Sequence, residues 1–140
     1  MKSKKLPILL AVAALIVSTL ACAAGELSLE NARLSKDDTG AQAVTTFAPA
    51  DTFYVVADLN NATTGTAVEA KWYLVNAADF ESGPISADTP AVVTIEEDSW
   101  TGTVNFSLSS VDSAGWPVGD YQVELYLNGA LTHTLDFNVR

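Results

Sequence analysis

Few residues in this chain are able to do chemistry, and their scarcity narrows the choices. His133 is the single histidine, and the only cysteine and methionine, Cys22 and Met1, lie in the first 22 residues. A blue-copper centre takes two histidines and a cysteine, usually with a methionine, and structural zinc takes four nitrogen or sulfur ligands. Neither set exists beyond the leader. His133 would suit a general base or a pH sensor near neutrality, yet no Gly-x-Ser-x-Gly nucleophile motif is there to use it. It reads instead as a partly buried histidine capped by a neighbouring hydroxyl or backbone group. Seventeen acidic residues offer carboxylates for glycoside hydrolysis, but that reaction needs a pair at a defined separation, and no spacing singles one out. Three oxygen-rich groups, Asp37-Asp38, Asp79 with Glu81, and Glu96-Glu97-Asp98, fall in loops of the kind that hold extracellular calcium. None follows an EF-hand pattern, and all three read as solvated acidic surface. The expectation is a protein without metal, without cofactor and without enzymatic activity.

Aromatic residues remain, and their meaning depends on the elements that carry them. Period-two alternation recurs along the chain with turn residues between the runs, and no amphipathic helix of convincing length interrupts it. Leu27 to Ser35 reads as a weak first strand, Ala43 to Phe47 as its continuation, and Thr52 to Leu59 as a strong one. Thr66 to Val75 places Val68, Ala70, Trp72 and Leu74 on one face, with Glu69 and Lys71 on the other. Asn76 to Pro90, with two prolines and a glycine, reads as a loop, and Ala91 to Glu97 as a short strand. Trp100 to Ser109 turns Val104, Phe106 and Leu108 inward. Tyr121 to Leu127 and Ala130 to Val139 close the fold, joined by Asn128-Gly129, the dipeptide that a type I′ hairpin turn demands. His133 shares the parity of Leu131, Leu135 and Phe137. Seven or eight short strands in this pattern predict a single antiparallel β-sandwich over residues 28–140.

The order of these segments, FYVVADL, AKWYLV, VNFSLS, GWPVGDYQVELYLNG and LDFNV, resembles the immunoglobulin-like and fibronectin-III-like modules of bacterial surface proteins. Trp72 stands where such domains place their core tryptophan, and Tyr121 where they place the tyrosine corner. Phe106 and Phe137 join them in the expected core. The disulfide of antibody domains is absent. The resemblance implies a fold and little about function, because this architecture hosts many unrelated roles. In such an arrangement the strands carrying Tyr73 and Tyr126 are neighbours, and both tyrosines have outward parity. They make a candidate partner-binding pair, a platform for a sugar ring or a protein surface; the alternative is a cross-strand pair that only stabilises the sheet.

The first 21 residues read as a signal peptide, an N-terminal signal helix ahead of the sandwich. Lys2, Lys4 and Lys5 precede an apolar run from Leu6 to Val17, of signal-peptide length and short of the roughly 20 residues a bilayer span needs. Thr19-Leu20-Ala21-Cys22 resembles the lipobox of bacterial lipoproteins, in which the cysteine is lipidated. It departs from that pattern in having Thr19 where leucine is usual. Cleavage at Ala21-Cys22-Ala23, which would discard the cysteine, is the alternative. Residues 22–27 then form a tether. Asn61-Ala62-Thr63 and Asn105-Phe106-Ser107 match the glycosylation acceptor pattern, but the bacterial style of the leader speaks against its use. Loss of the leader removes three of seven basic residues and none of the acidic ones, leaving four against seventeen, a formal charge of −13. Nucleic acid, which selects clustered positive charge, is excluded as a partner on that ground. The sequence thus points to a secreted module held at the outer face of the cell membrane by a lipid on Cys22. It would recognise or scaffold an unknown protein or glycan partner. A structural accessory subunit of a larger envelope complex is the alternative, with a hydrolase further behind.

Overall fold

The computed structural model describes residues 25–85 and 91–140. Residues 1–21, read from sequence as a signal peptide, and Cys22 lie outside the described residues. Nine strands follow: β1 (Ser28–Ser35), β2 (Thr46–Phe47), β3 (Phe53–Ala62), β4 (Ala67–Ala77), β5 (Gly83–Ile85), β6 (Val92–Thr94), β7 (Trp100–Leu108), β8 (Gly119–Leu127) and β9 (Ala130–Val139). One sheet has the order β1-β3-β7, the other β2-β9-β8-β4-β5, and β6 also pairs with β4. The inward side chains of both sheets share a single core.

The strand count exceeds the seven or eight expected from sequence, and the pairing is not wholly antiparallel. The added strand, β5, lies in the stretch read as a loop and pairs with Trp72, Tyr73 and Leu74. Its Pro84 is tolerated because an edge strand need not donate on its outer side. β2 does not continue β1. It crosses to the other sheet and runs parallel to β9, opposite Asn138 and Val139.

Alternation alone explains β8 and β4 from Val68 to Tyr73, whereas β1 needs a bulge. Leu29 and Leu34 are both buried, five residues apart, a spacing that a regular strand would put on opposite faces. An extra residue between Glu30 and Arg33 restores the parity, and Asn31 absorbs the turn at φ 54°. Asparagine is among the few side chains that take up this region readily. On β3 the outward Val56 is buried as well as the inward residues, because the β1–β2 connection folds over it. There Gly40, at φ 66°, lies against Val56, and a Cβ on it would come within 2.9 Å of the valine. Arg33 Nε donates to Gly40 O at 2.9 Å and pins the loop.

Six aromatic rings fill one end of the core. Phe53 stacks on Trp116 at 4.6 Å between centroids and meets Phe137 edge-on at 4.8 Å. Tyr121 stacks on Phe137 at 5.4 Å, and Phe47 and Trp72 complete the group. Trp72, Phe106, Tyr121 and Phe137 are all buried. Tyr121 donates to Pro117 O at 2.6 Å, four residues upstream, so the β7–β8 connection is tied to the strand it feeds. Trp116 anchors the same connection, donating through Nε1 to Asp51 O at 3.1 Å. Gly115 sits at φ 80° with Pro49 O only 2.3 Å from where a Cβ would stand, so no larger residue fits.

Candidate functional site

The outer face of β4 and β8 gathers the polar and aromatic side chains of the second sheet. Register places Glu69 opposite Tyr126, Lys71 opposite Glu124, and Tyr73 opposite Gln122. Tyr73 and Tyr126 are each half-buried, and they join through a carboxylate. Tyr126 donates its hydroxyl to Glu124 Oε1 at 3.0 Å. The same carboxylate acts on the Tyr73 hydroxyl as well and, with partial desolvation behind, pushes it up to about 12. Tyr126 is also raised, first by its bond to Glu124. Lys71 does not reach for Glu124 but stands over the Tyr126 ring, its Nζ 4.6 Å from the centroid. Such a contact contributes about 0.5–1 kcal/mol at an exposed site. On the neighbouring strand Gln122 Nε2 donates to Asp136 Oδ1 at 2.9 Å and extends the network toward β9.

The arrangement offers hydroxyl donors, a shared carboxylate acceptor and one aromatic ring whose face a lysine partly occupies. It holds no nucleophile beside a base. Its strength is preorganisation, since every member sits on a strand rather than a loop. Glu69 and Lys71 were placed outward from sequence but not as site residues, and Glu124 was not singled out. Their signal was the same outward parity that marked the tyrosines, but their partners became visible only with the β4–β8 register.

The remaining candidates are distributed elsewhere. His133 is half-buried and Nε2 lies 2.7 Å from Leu29 O; a carbonyl only accepts, so Nε2 carries the proton. This contact ties β9 to β1 across the edge of the sandwich. Leu131 does not share its parity. An extra residue, Thr132, separates the pairs Leu125–His133 and Tyr126–Leu131, so Leu131 moves to the outer face beside Tyr126 and is 52% exposed. In the first acidic loop Asp37 Oδ1 accepts from Thr39 N, Thr39 Oγ1 and Gly40 N, and these bonds, the Thr39 hydroxyl foremost, hold its carboxyl below the usual range. That carboxylate caps a turn. Among the described residues no cluster of three or more histidine, cysteine, aspartate or glutamate side chains is arranged to hold a metal ion. Two shallow grooves mark the surface. One of about 360 Å³ is lined by Thr45, Val75, Asp120, Asp136 and Asn138 on the β8–β9 face. Another of about 340 Å³ is lined by Glu30, Asn31, Asp58, Asn60 and Thr103 on the other sheet.

No protein-family model and no curated protein matches the chain. Solved structures do resemble it. An alkylpurine DNA glycosylase of Pseudomonas fluorescens, bound to DNA containing an abasic-site analogue, aligns with TM-score 0.50 and 10% identity over 86% of this chain. A variant β-glucosidase of Listeria innocua in complex with laminaribiose aligns with TM-score 0.52 and 14% identity over 84% of it. The chain spans 32% of the glycosylase and 16% of the glucosidase. At these identities the likeness is one of fold.

Proposed function

We propose that this chain is an immunoglobulin-like recognition or scaffolding module without enzymatic activity, secreted and anchored by a lipid on Cys22, that contacts its partner through the outer face of β4 and β8. The observation that carries the reading is the Tyr73–Glu124–Tyr126 cluster. It is a set of preorganised hydrogen-bonding groups beside an aromatic ring on the exposed face of a rigid sheet, the composition of a recognition surface rather than of a reaction centre. The strand orders β1-β3-β7 and β9-β8-β4-β5 support the immunoglobulin-like assignment. Asn61 Nδ2 donates to Glu26 O at 2.9 Å, so residues 25–28 enter at the end of the sandwich that holds the turn after β3. The acidic charge speaks against DNA as the partner, unlike the glycosylase with the similar fold.

The test has two arms. Protein recovered from cells that express the full chain is presented to a glycan array and to detergent extracts of the envelope, beside a Tyr73→Ala/Tyr126→Ala variant. Loss of specific binding in the variant supports the reading; an unchanged binding profile removes this face from consideration. Cys22→Ser should move the protein from the membrane fraction to the medium or periplasm, and an unchanged distribution would refute the lipid anchor.

A further inference from the structure

The groove of about 360 Å³ on the β8–β9 face is rich in hydrogen-bond acceptors and poor in donors. Asp120 and Asn138 face each other across the register, and Asp136 stands one step along, opposite Gln122. Asp136 accepts from Gln122 through Oδ1 alone. The ion pairs among the described residues are Arg33 with Asp58 and Lys36 with Asp51, so neither aspartate of the groove has a cation beside it. Arg140, two residues past Asn138, is exposed and belongs to neither pair. Asn138 Oδ1 is buried and has no hydrogen-bond partner. A buried acceptor without a donor is costly and rare in folded proteins. Val75, which also lines the groove, is 45% exposed. Two uncompensated carboxylates, an orphaned amide oxygen and an open apolar side chain thus share one hollow.

We propose that this groove seats the guanidinium of an arginine presented by a partner protein. Arginine offers five N–H donors in a planar fork and no acceptor, which matches two carboxylates and an amide oxygen that all need donors. It is always charged and more weakly hydrated than an ammonium, so it enters a half-enclosed acidic hollow more readily than lysine. Its methylene stem can lie along Val75. A neutral sugar would leave both carboxylates uncompensated. An anion would be repelled by the aspartates and by a chain of formal net charge −10. Calcium takes six to eight oxygen ligands, and no metal-holding cluster forms among the described residues. The acidic surface would also steer a basic partner to the site. Gln122 stands opposite Tyr73 and donates to Asp136, so the groove continues the proposed recognition face. The inference rests on that reading and names its partner as a protein with an exposed arginine rather than a glycan.

The experiment is a nuclear magnetic resonance titration of nitrogen-15-labelled protein recovered from cells that express the full chain. The probe is N-acetyl-arginine methylamide, compared with its lysine analogue and with its citrulline analogue, which has the same shape without the charge. The amides of Val75, Asp120, Asp136 and Asn138 should shift saturably with arginine, with a Kd of about 1–10 mM for a ligand of this size. Lysine should bind about threefold more weakly or worse, and citrulline should not saturate. Asp120→Asn/Asp136→Asn should weaken arginine binding by about tenfold or more. Glu96→Gln/Glu97→Gln, the same change of charge at two exposed positions in the β6–β7 loop, should bind as wild type does. Circular dichroism of each variant, matching wild type, shows that it is folded. The proposal is overturned by the absence of a saturable arginine site, by equal affinity for lysine or citrulline, or by equal effects of the two double variants. A glycan whose binding is lost in Tyr73→Ala/Tyr126→Ala, with no arginine site, overturns this inference and keeps the recognition face. An arginine site beside a binding profile unchanged in that tyrosine variant does the reverse.

Discussion

The outer face of β4 and β8 carries Tyr73, Tyr126, Glu124, Lys71 and Glu69, whereas the outer side of β7 carries Thr101, Thr103, Asn105 and Ser107. Both are outward faces of strands with the same period-two pattern, built over the same core. On the first, large side chains reach across the register and satisfy one another through a shared carboxylate. On the second, small neutral side chains reach only to β3: Thr103 donates to Asp58 at 3.4 Å, and Thr101 Oγ1 accepts from Asn61 N at 3.0 Å. A face of long polar and aromatic residues can select a ligand by its side chains. A face of short uncharged residues has too little reach to do so.

Breaking that comparison begins beneath it, at the core both faces share. Trp72 and Tyr73 are consecutive but face opposite ways. Trp72→Ala should cost about 3–5 kcal/mol in urea unfolding, as large-to-small core changes do, while Tyr73→Ala should cost less than about 1 kcal/mol, as surface changes do. Equal losses would mean that the outward face is structural. Gly115→Ala should cost about 1–3 kcal/mol, because the position combines positive φ with a carbonyl in the way. Gly129→Ala, at φ 83° with nothing within 4 Å of the added Cβ, should cost only about 1 kcal/mol. Tyr121→Phe should lose about 1–3 kcal/mol by stranding Pro117 O. By contrast, Tyr126→Phe removes a bond to a carboxylate that water can reach, and its thermal midpoint should shift little.

The smallest effect is one of pH. Tyr73 and Tyr121 are both pushed up to about 12, the first by Glu124 and the second by burial. A folded-state value above the unfolded one near 10 favours the neutral hydroxyl in the folded protein. This contribution is therefore complete below about pH 10 and is lost as pH rises toward 12. Tyrosinate absorbance near 295 nm followed with circular dichroism should show both tyrosines ionising late, Tyr121 only as the fold opens. Glu124→Gln should bring the Tyr73 titration down and leave Tyr121 where it is. A late Tyr73 in that variant would separate its shift from the carboxylate.

Where alternation is unbroken, sequence and structure agree residue by residue. Val68 to Tyr73 and Tyr121 to Tyr126 need no tertiary information to place tyrosines outward and Trp72 and Tyr121 inward. Disagreement begins at the bulges. Leu131 looks inward by counting from Leu135, and the extra residue at Thr132 turns it outward. β1 looks weak because its leucines are five apart until the bulge at Asn31 is known. β5 escaped notice because Gly83 and Pro84 are turn formers, and only pairing with β4 holds them extended.

Composition and periodicity, by themselves, determined an all-β chain, the Asn128-Gly129 hairpin and the inward placement of Trp72, Phe106, Tyr121 and Phe137, because these follow from residue chemistry and a period of two. The tertiary structure alone decided that β2 crosses to the second sheet, that Glu124 is the group joining Tyr73 to Tyr126, and that Asp120, Asp136 and Asn138 line one groove. Each of those depends on which strand lies beside which. That choice is made by main-chain pairing between segments far apart in the chain, and no local pattern encodes it.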